Sequence, residues 1–269
     1  IVSPSIAARS EGEKGMGRIL ALGLLALGAA LALLLLLLFT VNFARGGRAA
    51  AGFQTLAIEA RSIGKSAPTG WREPVNQHDL AADAHAVLQS LGLLRERGVA
   101  VVGHAFGNRT ARTFAADYPA LVAKTVLLAA GGRIPYPREI RRSLERCTWP
   151  WLTDRMRLPH LRRAFFAKES EIPQFWIDGW HFRAAVGQGA AVRATQVDDF
   201  WGGGDAPMLV IVGDEDDIAP YEHTAALLLE EFPGRTEAPR IAGAGHALLP
   251  EAPERIAEAV VKFLVPAKG

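Results

Sequence analysis

Residues 98–117 read G-V-A-V-V-G-H-A-F-G-N-R-T-A-R-T-F-A-A-D. A run of small and β-branched apolar residues passes straight into Gly103-His104-Ala105-Phe106-Gly107, and a helix-forming segment follows. That order calls for a tight strand-to-helix turn, with Gly103 and Gly107 where side chains would clash. Such a turn lifts one residue, here Ala105, above the carboxyl end of a strand. It also commits the chain to strands that are followed by helices, which is a strong restriction on fold class.

The rest of the chain keeps that alternation. Thr55–Glu59 (TLAIE) reads as a short strand, and Asn76 caps a helix to about Leu91 with Leu80, Ala84, Val87, Leu88 and Leu91 on one face. Strands follow at 98–102 and 124–130, separated by a helix over 108–117 that stops before Pro119; the second strand ends at Gly131-Gly132. After a gap come the strand Met208–Val212, a helix over 222–232, a short strand over 237–241, and a helix over 254–264 behind Pro253 with Ile256, Val260, Val261 and Leu264 inward. Five strands that are apolar throughout and separated by helices indicate an α/β fold, a mainly parallel sheet covered on both faces. Residues 133–206 interrupt the alternation with a helical insertion that holds five of the six tryptophans, Trp149, Trp151, Trp176, Trp180 and Trp201.

Ahead of this lies a different kind of sequence. Residues 19–41 are uncharged and rich in leucine; as a helix they would run about 35 Å, enough for a bilayer core of about 30 Å. Met16 makes a plausible start, and no small-x-small cleavage site follows directly, since Ala49–Ala51 lies beyond Arg45 and Arg48. An uncleaved anchor is therefore favoured over a signal peptide or a buried helix. It implies a protein held in a bacterial-type inner membrane through residues 19–41. The flanking charges, Arg9, Lys14 and Arg18 against Arg45 and Arg48, leave its orientation open. The organisation expected is a tail (1–18), a transmembrane or signal-anchor helix (19–41), a first core part (49–132), a cap (133–206) and a second core part (207–269).

A net charge of +2, from 30 basic and 28 acidic residues, gives no footprint for nucleic acid. Cys147 is the only cysteine, so an intrachain disulfide and a cysteine-based metal site are excluded. No cofactor and no metal is expected, and oligomeric state is not encoded legibly. A dinucleotide site would need a third glycine at the 103–107 turn and an acid about 20 residues on, and neither is present.

Two more signals follow the turn in chain order. Gly213-Asp214-Glu215-Asp216-Asp217-Ile218-Ala219-Pro220 comes after the strand MLVIV, and Gly243-Ala244-Gly245-His246 comes after the last strand. An acid and then a histidine, after the turn, is the order of a hydrolytic triad on such a sheet. With AAGFQTLAIEARSIGKSAP, NQHDLAADAHAVLQSLGL, VVGHAFGN, KTVLLAAGG, APMLVIVGDEDDIAP and IAGAGHALLPEAPERIAEAVVKFL, the chain resembles the α/β-hydrolase fold superfamily, in its capped esterase/lipase-like branch, from about residue 49 onward.

The resemblance implies that Ala105 holds the nucleophile position, that Asp216 is the acid (with Asp214 and Asp217 as alternatives), that His246 is the base, and that the Phe106 N–H is an oxyanion donor. Gly103 and Gly107 shape the elbow. It also implies that the family's N-terminal strands, with their second oxyanion donor, are missing. His104 is structural in that family.

Alanine excludes a serine, cysteine or aspartate nucleophile at residue 105. The expectation is thus a protein of hydrolase descent, without serine-esterase activity, binding a small apolar molecule between core and cap and keeping His–Asp proton transfer. Two alternatives are an active hydrolase, using a displaced nucleophile such as Cys147 or water activated by His246, and a non-catalytic interaction domain at a membrane. The cap tryptophans are read as the cap's own packing core or as the lining of a ligand pocket.

Overall fold

The computed structural model describes residues 36–41 (backbone only), 53–61, 66, 75–94 and 98–265. The elements, in chain order, are β1 (Leu36–Val41), β2 (Gln54–Glu59), α1 (Gln77–Ser90), β3 (Val99–His104), α2 (Phe106–Asp117), β4 (Val122–Leu128), α3 (Arg138–Cys147), α4 (Asp154–Ala164), α5 (Gln174–Asp178), α6 (Phe182–Ala194), β5 (Met208–Gly213), α7 (Ala225–Glu231), β6 (Thr236–Glu237), β7 (Arg240–Ile241) and α8 (Pro253–Leu264). The sheet order is β2-β1-β3-β4-β5-β6, with β7 also on β5.

Strands β3 to β7 pair in parallel. Alternate residues feed two cores: Val101, Leu127 and Val210 pack with Ala81 and Leu88 of α1, Phe114 of α2 and Leu228 of α7, whereas Val102, Val126, Leu209 and Ile211 pack with Ile256 and Phe263 of α8. This two-sided burial is why the strands are apolar throughout. The helix predicted over 222–232 is shorter than its sequence signal: a 3₁₀ turn at Tyr221–His223 precedes α7. The strand predicted over 237–241 is two short strands, because Pro239 between them has no N–H for a continuous ladder.

The N-terminal expectation needs correction. Leu36–Val41, the end of the uncharged run, is a strand and not the last turns of a membrane helix. It lies between β2 and β3, antiparallel to both, with registers running from Leu36 opposite Glu59 to Val41 opposite Gln54, and from Leu37 opposite Gly103 to Thr40 opposite Ala100. The slot between β2 and β3 is therefore filled rather than missing, although by a strand running against its neighbours. The physical reason is backbone pairing: two strand edges there would otherwise lack ladder partners. Residues 19–35 of the expected anchor lie outside the described residues. Among those described, no helix is long and apolar enough to cross a membrane.

Capping fixes where α1 begins. Asn76 Oδ1 accepts the Asp79 N–H at 2.9 Å, and Asp79 accepts the Asn76 N–H at 2.9 Å. Asn76→Ala is expected to lower stability by about 1 kcal/mol, read as a shift in the urea midpoint at unchanged slope.

Helices α3 to α6 stand between β4 and β5. Their own core holds Ile140, Cys147, Leu161, Phe165, Phe166 and Trp176, and it reaches Ile218 and Ala247 of the sheet domain. The tryptophans divide. Trp176 and Trp180 pack around Phe165, Trp201 belongs to the sheet core, and Trp151 is 67% exposed beside Trp149.

Candidate active site

The site assembles at the carboxyl ends of β3, β5 and β7, where parallel sheets of this kind place their functional loops. The turn after β3 is as tight as the glycines require. A Cβ on Gly103 would stand 2.6 Å from the Gly107 carbonyl carbon and 2.7 Å from Asn108 Cα. Ala105 adopts φ 48°, ψ −116°, a region that L-residues avoid. Its N–H donates to Leu128 O at 2.9 Å, and its carbonyl accepts the Asn108 N–H at 3.2 Å and an Asn108 side-chain N–H. Phe106, at the first position of α2, is half-buried; helix geometry gives its N–H no intrahelical acceptor.

Non-glycine residues with positive φ are Ala105, Ala129 and Leu248 among the described residues. All three lie around this site: Ala129 directly after β4 and Leu248 two residues past His246. Strain of this kind costs about 1–3 kcal/mol per residue and persists where surrounding contacts over-determine the backbone. Glycine at residue 105 releases that strain but adds unfolded-state entropy worth about 0.4–1 kcal/mol. Ala105→Gly is therefore expected to raise stability by about 1 kcal/mol net, readable in thermal unfolding.

Asp216 and His246 meet. His246 Nδ1 lies 2.9 Å and 3.0 Å from the two Asp216 carboxylate oxygens, and both residues are buried. Asp216 Oδ1 also accepts the Ile218 N–H at 2.9 Å and the Ala219 N–H at 2.7 Å, so the carboxylate is fixed by its own loop. The other acids of the loop go elsewhere: Asp214 accepts the Gly243 N–H at 2.7 Å and staples the two loops together, and Asp217 pairs with Arg163 of α4. With Nδ1–H committed to Asp216, Nε2 of His246 is left as the basic nitrogen.

Two further groups hold His246, His104 from within the turn motif and Glu251 from outside any motif. His104 Nε2 donates to the His246 carbonyl at 2.9 Å, and burial, aided by the charge of His246, pushes the His104 pKa down to about 4. The ring is thus neutral at pH 7 and serves as a positioning donor. Glu251 accepts N–H groups from Gly245 and Leu248, both at 2.9 Å, and from Ala167 of the cap at 2.8 Å. It braces the histidine loop against the cap. In sequence Glu251 reads only as an acid ahead of a helix, because the contacts that define its role span up to 84 residues.

The cap closes over the same loop. The Ala247 N–H donates to Phe165 O at 2.7 Å, and a Cβ on Gly245 would stand 2.7 Å from both Phe165 O and Ala167 N. The Phe165 ring lies 5.8 Å from the His246 ring. Cys147 is buried in the cap core, where desolvation raises its thiol pKa above the usual range. A neutral buried thiol is a poor nucleophile. A cavity of about 30 Å³ lies beside Gly107 and Thr110, under Leu80 and Ala84. A groove of about 710 Å³ lies at the opposite end of the sheet, between Lys124, Pro207 and Phe263. No cluster of metal-ligating side chains occurs among the described residues.

Known structures share this architecture at low identity. A thermophilic esterase from Thermogutta terrifontis, with malate bound, is 24% identical over 77% of this chain and 78% of its own, at a TM-score of 0.60. An alpha/beta hydrolase from a Medee basin deep-sea metagenome is 17% identical over 85% and 83%, at 0.61. A membrane phospholipase A described as a bacterial virulence factor is 20% identical over 77% and 68%, at 0.57. These likenesses concern the fold. No curated protein matches the chain. A family model does, over residues 27–259, a span that takes in β1 and the whole of the site. The chain belongs to the alpha/beta hydrolase family.

Proposed function

We propose that this member of the family lacks serine-esterase chemistry, binds a small and largely apolar molecule between core and cap, and retains Asp216 and His246 as an acid–base pair beside it. The observation that carries the reading is a combination. His246 and Asp216 are joined at 2.9 Å and buried, while the strained turn at residue 105 carries only a methyl group. An acyl-enzyme needs an oxygen or sulfur lone pair at that point, and alanine has none. Asp216 orients the imidazole, and His246 Nε2 accepts the proton. The Phe106 N–H is the donor available to a developing oxyanion at the turn. For the ligand, support comes from Phe165, an apolar cap ring 5.8 Å from the His246 ring, with Trp180 packed against it.

Release of p-nitrophenol from short acyl esters by the wild type and by His246→Ala tests the reading. Equal rates near the uncatalysed background are expected. Rapid wild-type turnover that disappears in His246→Ala would establish a working hydrolase in its place.

A further inference from the structure

Two arginines sit on the first turns of α2, and they are treated very differently. Arg112 is fully buried and held through its two Nη atoms: one donates to Asn108 Oδ1 and Gly131 O, both at 2.6 Å, the other to Trp201 O at 3.4 Å, while its buried Nε has no hydrogen-bond partner among the described residues; the guanidinium lies 5.0 Å and 5.4 Å from the Phe200 and Trp201 rings. Arg109, one turn past Ala105, is only partly exposed, and its guanidinium makes no hydrogen bond or ion pair among the described residues. Its neighbours include the Phe200 ring at 5.8 Å and Tyr136, a phenol that interacts with it but carries no charge to balance it at neutral pH. Neither arginine has a carboxylate in ion-pair contact among the described residues, so two cations share one low-dielectric corner, and burial lowers the pKa of both.

That corner has room. A Cβ on Gly131 would have Arg109 Nη2, at 3.9 Å, as its sole neighbour within 4 Å. Gly131 follows the end of β4, the strand whose Leu128 carbonyl holds the Ala105 N–H. Arg109, one turn of α2 past Ala105, and Gly131, three residues past Leu128, thus both lie near the turn at residue 105. A half-buried cation with no counter-ion among the described residues costs free energy that an anion would recover, and a guanidinium fork matches carboxylate and phosphate oxygens.

We propose that Arg109, with Arg112 behind it, is the anion-recognising group of the ligand site. The molecule held between core and cap carries one oxyanion, a carboxylate or a phosphate monoester, which pairs with Arg109 while its apolar part extends toward Ala105. This rests on the reading that a ligand occupies that region.

Calorimetric titration of the full chain with hexanoate, hexyl phosphate and 1-hexanol tests it, using the wild type, Arg109→Gln and Arg109→Lys. Hexanoate or hexyl phosphate is expected to bind the wild type at least about 10-fold more tightly than hexanol, and the tighter of the two identifies the oxyanion. Arg109→Gln removes that preference and leaves hexanol affinity unchanged; Arg109→Lys keeps part of it. Hexanol binding with no gain for either anion, or a preference that survives in Arg109→Gln, overturns the anion site and leaves the apolar site standing. Anion binding through Arg109 without any for hexanol supports the anion site and counts against an apolar one. No binding of any probe overturns both.

Discussion

Ala105→Ser is expected to raise ester hydrolysis by about 10³–10⁴-fold over the wild type, and His246→Ala in the same background is expected to abolish the gain. Loss of a triad nucleophile costs about 10⁶ in turnover, so restoring it recovers at most that factor. The resemblance implies a second oxyanion donor is missing, which would cost about 10²–10³, and the difference sets the expected range. The remaining parts are in place: Asp216 is fixed by the Ile218 and Ala219 N–H groups, and His246 is held through Nδ1, through its carbonyl by His104, and through its loop by Glu251. Serine adds one oxygen to a Cβ that already occupies the strained conformation at φ 48°, so the substitution adds little backbone cost. Initial rates on p-nitrophenyl acetate, with circular dichroism to verify the fold, are sufficient. A gain in Ala105→Ser that persists without His246 would show that the pair does not serve as the base.

The second large effect is on stability against pH. The His104 pKa is about 4 in the folded chain against 6.5 in the unfolded one. Between those values the unfolded state binds the proton and the folded state does not, so stability is highest above pH 6.5 and falls as pH drops toward 4. The full difference corresponds to roughly 3 kcal/mol, most of it lost by pH 4.5. His104→Gln cannot titrate there and keeps an amide that can donate to the His246 carbonyl. Unfolding free energies from urea titrations are expected to fall, between pH 7 and pH 4.5, by about 2 kcal/mol more for the wild type than for His104→Gln. Equal falls would mean that burial of His104 is not coupled to folding.

Much of the fold was legible because its signals are local. Val99–His104, Val122–Leu128 and Met208–Gly213 are apolar on both faces since both faces are covered, and Asn76 announces its helix by occupying the cap itself. The glycines at 103 and 107 report a steric necessity that any chain making this turn must meet. The N-terminal run differs between sequence pattern and fold for an equally physical reason. An uncharged leucine-rich run suits a bilayer helix and a sheet interior alike, and what distinguishes them for Leu36–Val41 is the presence of two strand edges far along the sequence. Periodicity within the run carries no trace of those partners.

The site divides in the same way. Asp216 and His246 stand in recognisable frames after their strands, and their contact at 2.9 Å follows from the topology. Which of Asp214, Asp216 and Asp217 meets His246 follows from backbone N–H groups and from Arg163, which no spacing specifies. His104 and Glu251 acquire their contacts from residues as distant as His246 and Ala167.

Mass spectrometry of the intact chain after exposure to a fluorophosphonate, followed by peptide mapping, addresses residue 105 most directly. The reagent phosphonylates an activated hydroxyl or thiol and leaves a methyl group untouched. The wild type is expected to remain unmodified, and Ala105→Ser to gain a single adduct at position 105 that depends on His246. Stoichiometric labelling of the wild type at any other residue, lost on His246→Ala, would reveal a working nucleophile and contradict the vacancy at the turn.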